Sequence, residues 1–425
     1  MRKYYISTSS CGSSLEEIEK LEFILQPAER TQNPFEADVI VAPLCGLSHE
    51  MLETTAKELR LLELIHEKRP EAKIFAGGCV ADAVDLTEIY PFLTGTFRRR
   101  TMTEDLRAQL LLAEAPSRKK FLPLKAGMAV IRIADGCMRH CTFCKKAYLD
   151  MELHSKPIGE IVALAKEARR KGISYLNLLA ENSTEYGIDL YGKPRLMDLL
   201  KSILEAEPGM YMTLTGLAID ELTDELIAYL AQEKRVCMLQ LELQSLTPTV
   251  REQMGLTSTE RRVLSCVEQL RRKNLISNIM VGFPGETNQN FRSGLKLLVQ
   301  HNLYFVTVDP YDNTPGTPSA TLSQIPKPVV DARLAELWSD IVRLRYDEGD
   351  RLITASRQGE TFPALMKSRT REDDIILQLL ERPGFVRVKR CRRRFMAFLQ
   401  VNCRITGIGT PFTPEQFAEF EGEIC

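Results

Sequence analysis

The chain has 425 residues, of which 44% are hydrophobic and 27% are charged, and its formal net charge is −1. This length allows two or three domains with separate cores, and the composition is typical of globular proteins. The near-zero charge excludes a chain that is basic throughout, so contact with nucleic acid would need a local patch. No apolar run approaches the roughly 18 residues that span a bilayer. Eleven cysteines without a secretion signal indicate a reducing compartment. We therefore expect a cytoplasmic protein without membrane contact.

Near the amino terminus, three short β-branched runs alternate with helical patterns. The runs cover residues 3–8, 38–42 and 72–76, and apolar residues recur at three- and four-residue steps between them. Strands that alternate with helices predict a parallel sheet with crossover helices. We therefore expect an N-terminal parallel α/β domain over residues 1–115.

A cysteine follows each of these three runs. Cys11, Cys45 and Cys79 each lie 34 residues from the next. Because the carboxyl ends of parallel strands meet at one edge of a sheet, we expect the three thiols to lie there together. A single cysteine of this kind is more often a small buried hydrophobe. Three at equivalent positions, upstream of the cysteine-rich loop at residues 137–144, predict an iron–sulfur site.

That loop follows a proline-containing linker at 115–123 and an apolar run at 129–134 that is typical of a strand. It places Cys137, Cys141 and Cys144 at spacings of four and three. Soft thiolates suit iron and sulfide, and three protein ligands leave one iron of a cubane open to a small chelating molecule. A zinc site would need a second ligand pair nearby, and none follows. The loop therefore predicts a 4Fe–4S cluster with one open iron.

The central region repeats the alternation of strands and helices. Six strand candidates cover 129–134, 174–179, 210–215, 236–243, 276–281 and 304–309. Six βα units over residues 128–325 predict an open (β/α)6 barrel, because the region is too short for eight. A connecting helix is expected at 326–356, and a small β-rich module at 357–425. The predicted fold class is α/β.

Together the two cysteine sets resemble the methylthiotransferases, which are radical S-adenosylmethionine (SAM) enzymes with a C-x3-C-x2-C loop. The resemblance implies that Cys137, Cys141 and Cys144 hold a cluster whose open iron binds SAM and cleaves it to a 5′-deoxyadenosyl radical. It implies that Cys11, Cys45 and Cys79 hold an auxiliary 4Fe–4S cluster that carries the sulfur to be inserted. Two 4Fe–4S clusters and two SAM molecules per reaction are thus expected.

Segments at the ends of barrel strands also resemble the family's SAM-contacting stretches. The segment after strand two stands where relatives place residues that hold the amino group of SAM. The segments that end strands four and five resemble a Leu-Gln-Ser segment and a Val-Gly-Phe-Pro-Gly-Glu-Thr segment that face the active site and adenine. The cofactor contacts expected from this resemblance are Glu181, Asn182, Gln244, Ile279, Gly282 and Phe283.

The C-terminal module resembles a degenerate form of the family's TRAM domain, with two or three strands over residues 384–406. Phe395 and Phe398 interleave with its basic residues, which are Arg387, Lys389, Arg390, Arg392, Arg393, Arg394 and Arg404. Such a patch favours phosphate or an acidic peptide. The alternative is an edge strand protected by its charge.

The sequence leaves two classes of substrate open. The stretch Tyr186-Gly187-Ile188-Asp189 is closer to the branch that modifies ribosomal proteins or peptides, which favours a side chain such as an aspartate. The basic patch favours a transfer-RNA adenosine. A non-catalytic iron–sulfur redox sensor is a third alternative, since the family's Arg-Gly pair is missing between Asp150 and Pro157. We also expect an electron donor such as flavodoxin or ferredoxin, and a monomer.

Overall fold

The computed structural model describes residues 2–7, 15–82, 84–112, 122, 124–125, 128–149, 152–369, 373–389, 400–409 and 420–425. These divide into two compact units. The N-terminal unit comprises Met1–Pro123, Phe143–Met151 and Asp312–Ala320, and the barrel unit comprises Leu124–Thr142, Glu152–Tyr311 and Thr321–Cys425. No helix in these described ranges is both long and apolar enough to cross a membrane.

The N-terminal unit is built on a five-stranded parallel sheet in the order β2-β1-β3-β4-β5. Its strands are β1 (Lys3–Ile6), β2 (Glu29–Arg30), β3 (Val39–Leu44), β4 (Lys73–Gly78) and β5 (Gly95–Arg98). Its helices are α1 (Leu15–Leu25), α2 (His49–Lys68), α3 (Leu86–Ile89) and α4 (Met102–Leu110). Separate apolar clusters cover the two faces of the sheet, and all of β3 is buried, as expected of a central parallel strand. The predicted parallel α/β domain is confirmed.

The barrel unit contains six parallel strands and an antiparallel edge strand in the order β14-β13-β12-β11-β10-β7-β6. The strands of this sheet are β6 (Leu124–Lys125), β7 (Met128–Arg132), β10 (Tyr175–Leu179), β11 (Tyr211–Ala218), β12 (Val236–Gln244), β13 (Asn274–Val281) and β14 (Val306–Pro310). A separate two-stranded ribbon pairs β8 (Ala134–Asp135) with β9 (His154–Ser155). The helices are α5 (Ile158–Arg170), α6 (Ile188–Tyr191), α7 (Leu196–Ala206), α8 (Asp224–Gln232), α9 (Pro248–Gln253), α10 (Glu260–Leu270) and α11 (Asn288–Gln300). The six predicted strands and their open arrangement are confirmed.

A long helix and a small closed barrel complete this unit. The helix α12 spans Lys327–Arg357. The closed barrel has the order β15-β16-β17-β19-β18, with β15 (Phe362–Arg369), β16 (Ile375–Leu379), β17 (Phe385–Val388), β18 (Gln400–Ile408) and β19 (Phe420–Ile424). The β-rich module is thus confirmed. It closes because β19 pairs in parallel with β17 and antiparallel with β18.

The small barrel packs against the amino ends of the large barrel's strands. Asn274, the first residue of β13, donates its amide to the carbonyls of Leu379 and Gly384 at 3.4 and 3.1 Å. The ammonium of Lys367 lies 3.6 Å from the ring centroid of Tyr175, and burial lowers the pKa of Lys367 to about 8. The carboxyl ends of the strands, where chemistry is expected, face away from this module.

Candidate active site

The loop that carries Cys137 and Cys141 leaves the carboxyl end of β7 through the short strand β8. Gly136 has a φ of 86°, a left-handed conformation that glycine adopts without strain, and it turns the chain into the loop. Cys141 is buried and Cys137 is partly buried. Neither thiol forms a disulfide bond, so both sulfur atoms can serve as metal ligands.

Hydrogen bonds from other elements hold both ends of this loop. The amide of Met138 donates to the Glu185 carboxylate at 2.8 Å, and the Cys137 thiol also hydrogen-bonds that carboxyl group. At the other end, the Thr142 amide donates to the Met254 carbonyl at 3.1 Å, and the Thr142 hydroxyl donates to the Gln253 carbonyl at 2.8 Å. Burial raises the pKa of Glu185, and the bond from Met138 opposes this change. The loop therefore has a fixed path before any ligand arrives.

An arginine in the middle of the loop joins a buried ion-pair network. The Arg139 guanidinium contacts Asp220 at 2.9 Å and Glu221 at 3.4 Å. The other oxygen of Asp220 accepts from Arg251 at 2.6 Å and from the Ser258 amide at 2.6 Å. Burial raises the pKa of Asp220, but Arg251 and these donors outweigh it and leave the pKa below its usual value.

Arg139 also interacts electrostatically with both neighbouring thiols. Burial lowers the pKa of its guanidinium, but Cys141, Asp220, Glu221 and Cys137 outweigh burial and raise it. A fixed cation beside two thiols favours their thiolate forms, which are the forms that bind metal. The part of the motif that lies in the barrel unit thus suits a metal cluster by its charge as well as by its donor atoms.

The third motif cysteine, Cys144, belongs to the N-terminal unit, within Phe143–Met151. It is partly buried, its thiol is free, and it directly precedes a 310 turn at Lys145–Tyr148. Within the described ranges, no three Cys, His, Asp or Glu side chains are gathered as in a preformed metal site. The assignment of Cys137, Cys141 and Cys144 to one cluster therefore rests on the motif.

Glu181 and Asn182, which follow β10, already have protein partners. The Glu181 carboxylate lies 3.2 Å from Nη1 of Arg132. The Asn182 side chain is buried; its Oδ1 accepts from the Thr184 amide at 3.1 Å, and its Nδ2 donates to Glu221 at 2.6 Å. Both residues lie at the carboxyl edge of the barrel, as predicted, and their role toward SAM stays a prediction.

The remaining predicted contacts lie on β12, on β13 and just beyond β13. Gln244 pairs with Ile279 across a register shift and has a φ of 60°, which is uncommon for a residue with a side chain. Its Nε2 donates to Glu242 at 2.8 Å, while its buried Oε1 has no hydrogen-bond partner in the described part of the chain. A strained residue with an unsatisfied buried oxygen at a strand end is typical of a ligand site.

Gly282 and Phe283 shape the turn after β13. Gly282 has a φ of 87°, and its amide donates to the Glu286 carboxylate at 3.0 Å. Phe283 is fully buried and packs edge-on against Tyr311 at 5.5 Å between ring centroids. The Phe283 side chain thus packs in the interior, and a contact with adenine would have to use its backbone.

The stretch that favoured a protein substrate has a structural use. The Tyr186 ring is buried and its hydroxyl donates to the Lys156 carbonyl at 2.7 Å. The Asp189 carboxylate accepts from the Ser155 amide at 2.7 Å, and the Gly187 amide donates to the Ser155 hydroxyl at 2.9 Å. These residues hold β9 beside the cluster loop, which explains why the three occur together.

In the N-terminal unit, the structure brings Cys45 and Cys79 together. They directly follow Leu44 and Gly78, which are register partners on β3 and β4. Their thiols hydrogen-bond to each other, and this bond, with the nearby cations of Arg99 and Lys146, lowers the pKa of Cys79 against the effect of burial. Neither forms a disulfide bond. Cys11 lies outside the described residues, so the third corner of this site stays a prediction.

The close approach of β4 to its neighbours requires the glycines before Cys79. A Cβ on Gly77 would lie 2.0 Å from the Phe97 carbonyl oxygen, and one on Gly78 would lie 2.7 Å from that of Leu44. The Thr55 hydroxyl donates to the Cys45 carbonyl at 2.7 Å, which fixes the other strand end. The main chain thus places this pair of thiols.

Sequence analysis did not identify Glu185, Asp220, Glu221 or Arg251 as parts of the site. Asp220 and Glu221 follow the end of β11. They could have been identified, because functional residues of such barrels lie at the carboxyl ends of the strands. Glu185 and Arg251 carried no comparable signal, because each acts through a contact between distant segments. Cys237 and Cys266, which belong to neither cysteine set, are both fully buried, as is common for cysteines that pack in a core.

The described members of the predicted basic patch are Arg387, Lys389 and Arg404, and each is ion-paired. Their partners are Asp374, Glu421 and Glu423 respectively. The other basic and aromatic residues of the patch lie outside the described residues. The described part of the module therefore offers little uncompensated positive charge.

Comparison with known proteins agrees with this geometry. Residues 131–298 match the family model described as the radical SAM superfamily. A ribosomal protein uS12 methylthiotransferase RimO from Carboxydothermus hydrogenoformans is 27% identical, with 88% of this chain and 89% of that protein covered. A tRNA-2-methylthio-N(6)-dimethylallyladenosine synthase from Streptomyces avermitilis is also 27% identical, with 83% and 75% covered.

Solved structures share the fold. A radical SAM methyltransferase, TsrM, from Kitasatospora setae, with cobalamin and a 4Fe–4S cluster bound, has a TM-score of 0.54 at 11% identity, with 75% of this chain and 77% of that chain covered. At such low identity the likeness concerns the architecture alone.

Proposed function

We propose that this chain, a SAM-dependent enzyme of the radical SAM methylthiotransferase family, inserts a methylthio group at an unactivated C–H bond of a protein side chain such as an aspartate. The observation that carries the proposal is the presence of two thiol sites of different construction. One is the anchored loop of Cys137 and Cys141, and the other is the Cys45–Cys79 pair at a sheet edge. SAM cleavage requires only the first site, and the second offers a source for the inserted sulfur.

The donor sets fit the cofactors that the family uses. None of Cys45, Cys79, Cys137, Cys141 and Cys144 forms a disulfide bond, and thiolates are the usual ligands of iron–sulfur clusters. When bound, the cluster at Cys137, Cys141 and Cys144 supplies the electron that cleaves SAM, and the cluster at Cys11, Cys45 and Cys79 supplies sulfur. Arg139 offsets the thiolate charge at the first site, and Glu185 and Thr142 fix the loop's path.

The substrate assignment is supported by the named relatives. Those that cover 88% of this chain include several ribosomal protein uS12 methylthiotransferases at 25–27% identity. The second candidate is a transfer-RNA adenosine, which the equally similar tRNA-modifying relative favours. We favour a protein side chain, and a flavodoxin or ferredoxin as electron donor to a monomeric chain.

A competition between two substrates tests this assignment. The full chain, reconstituted with iron and sulfide under anaerobic conditions, is incubated with SAM, a reductant and two candidates. The candidates are a uS12 peptide that contains an aspartate and an anticodon stem-loop that contains N6-dimethylallyladenosine. We expect mass spectrometry to show one methylthio group in place of one hydrogen on the peptide, and none on a control peptide with that aspartate replaced by alanine. Modification of the stem-loop alone would overturn the protein assignment, and modification of neither would overturn both.

A further inference from the structure

The barrel unit has a large groove at the amino ends of its strands, opposite the catalytic edge. Its volume is about 1100 Å³, and it is lined by the turns that precede β12, β13 and β14, by α12 and by the turn between β16 and β17. The groove's rim at Arg235 and the site residue Gln244 lie at opposite ends of β12, which is a distance of roughly 30 Å at the usual rise per residue. The groove is therefore too distant to belong to the site described above.

The lining of this groove is strongly basic. It includes seven lysine or arginine side chains and three glutamates, in a chain whose net charge is only −1. Such a local excess in a concave surface focuses the field and attracts anions. The basic residues come from three separate turns and from α12, so the charge is spread along the groove rather than gathered at one point.

Several of these cations are available to a ligand. Arg271 contacts Glu268 at 2.8 Å, with both side chains about two-thirds exposed. Lys234, 87% exposed, lies 3.7 Å from Glu381. Exposed pairs of this kind contribute little and exchange readily. Arg272 is exposed and has no ion pair with any described residue. Deeper cations are fixed in place, since the Lys273 ammonium donates to the Glu233 carbonyl at 2.7 Å.

We propose that this groove binds the phosphate backbone of RNA. Arginine offers a planar set of donors that matches phosphate oxygens, and dispersed cations suit a chain of regularly spaced charges better than a single small anion. The inference rests on the proposed function in one respect: a ribosomal protein substrate lies beside RNA. Binding here holds the enzyme on the RNA that surrounds its substrate, while the other end of the barrel reaches the side chain.

The test is the salt dependence of RNA binding by the full chain. Anisotropy of a short fluorescein-labelled single-stranded RNA is measured over a series of salt concentrations, without SAM. We expect Arg272→Ala to weaken binding severalfold and to reduce the slope of log affinity against log salt by about 0.7, the value for one lost phosphate contact. Arg272→Lys should retain most of the affinity. A double reversal, Arg271→Glu with Arg272→Glu, should lower the affinity by about tenfold or more.

The same helix offers a matched control. Arg261 is an exposed arginine in the first turn of α10, at the opposite end of that helix from Arg271 and Arg272. We expect Arg261→Ala to leave the affinity and the slope unchanged. Equal losses in both alanine variants would contradict the proposal, because they would indicate a diffuse charge effect. Lys234→Ala, on another turn, provides an independent variant if the arginine variants unfold.

Two further results would overturn the proposal or separate it from the proposed function. If a glutamate-rich peptide binds in a manner that depends on Arg272 while RNA does not bind, the groove is a protein-docking surface and the proposal is wrong. Methylthiolation of the short free peptide should be unchanged in the groove variants, because no RNA takes part. A wild-type chain that binds RNA through the groove but modifies neither substrate would contradict the proposed function and leave this inference standing.

Discussion

The two thiol sites are held in place by different means. The loop of Cys137 and Cys141 is fixed by contacts with distant segments, namely the carboxylates of Glu185 and Asp220 and the main-chain carbonyl of Gln253 at the end of α9. The pair of Cys45 and Cys79 is fixed by the register of two parallel strands and by glycines that bring the strands close. One site depends on hydrogen bonds and ion pairs, and the other depends on main-chain packing.

This difference indicates which substitutions each site tolerates. A loop held by buried polar contacts fails when a partner is removed and a charge or donor is left unsatisfied. A strand end held by packing fails when atoms are added where no space exists. Loss of side-chain atoms should therefore damage the first site most, and gain of atoms should damage the second.

The largest expected effect is that of Asp220→Ala. This change leaves the guanidinium groups of Arg139 and Arg251 without their shared carboxylate, and the Arg251 side chain is only 1% exposed. We expect the free energy of unfolding to fall by about 3–5 kcal/mol, measured by urea denaturation. Asp224→Ala is the control, because that carboxylate is 83% exposed in its pair with Arg262, and its loss should cost less than about 1 kcal/mol. Similar losses in both variants would show that the network does not hold the loop.

Adding one methyl group at Gly77 should damage the other site. The Cβ of Gly77→Ala would meet the Phe97 carbonyl oxygen at 2.0 Å, so β4 and β5 would have to separate. We expect a loss of about 1–3 kcal/mol in thermal or urea unfolding of the N-terminal unit. Gly159→Ala in α5 meets no atom within 4 Å and should be neutral or stabilise by up to about 1 kcal/mol. Equal effects would mean that packing at Gly77 does not define the strand end.

Glu185→Ala tests the loop more locally. It removes the acceptor of the Met138 amide and should cost about 1–3 kcal/mol, with a lower iron content after reconstitution. Glu185→Gln keeps an oxygen acceptor at this position and should retain most of the iron. An alanine variant with full iron content would show that the loop keeps its path without this contact.

A smaller effect is expected from pH. Burial raises the pKa of Asp220, but Arg251, Ser258 and Arg139 outweigh it and hold the pKa below its usual value of 3.8. A depressed carboxyl pKa contributes stability above the unfolded pKa, and that contribution is lost as the pH falls through the folded pKa. The difference in unfolding free energy between the wild type and Asp220→Asn should therefore shrink as the pH falls below about 3.8. A constant difference would contradict an ionised Asp220 in the folded chain at neutral pH.

The sequence predicted the parts of the fold that depend on local pattern. The six barrel strands and the strands before Cys45 and Cys79 each carry an apolar, β-branched run, and the equal spacing of these cysteines follows from the length of one βα unit. The short strands β2 and β5 were missed. Glu29–Arg30 has no apolar run, and β5 begins at a glycine.

Contacts between distant segments could not be predicted. Closure of the small barrel depends on β19 pairing with both β17 and β18, and no local pattern encodes that choice. The positions of Glu185 and Arg251 relative to the cysteine loop likewise depend on contacts between segments that are distant in the sequence. The stretch that ends at Asp189 was singled out only because it resembles one branch of the family. In the structure, Asp189 accepts a hydrogen bond from the Ser155 amide, a structural use that the resemblance did not indicate.

The central claim is that the two thiol sites have separate tasks, and one measurement tests it most directly. The double variant Cys45→Ala with Cys79→Ala is reconstituted, and its iron content, deoxyadenosine formation and methylthio product are measured in one experiment. We predict that iron falls from about eight to about four per chain, that SAM cleavage persists, and that no methylthio product forms. Persistence of the methylthio product, or loss of SAM cleavage in a folded variant, would contradict the account.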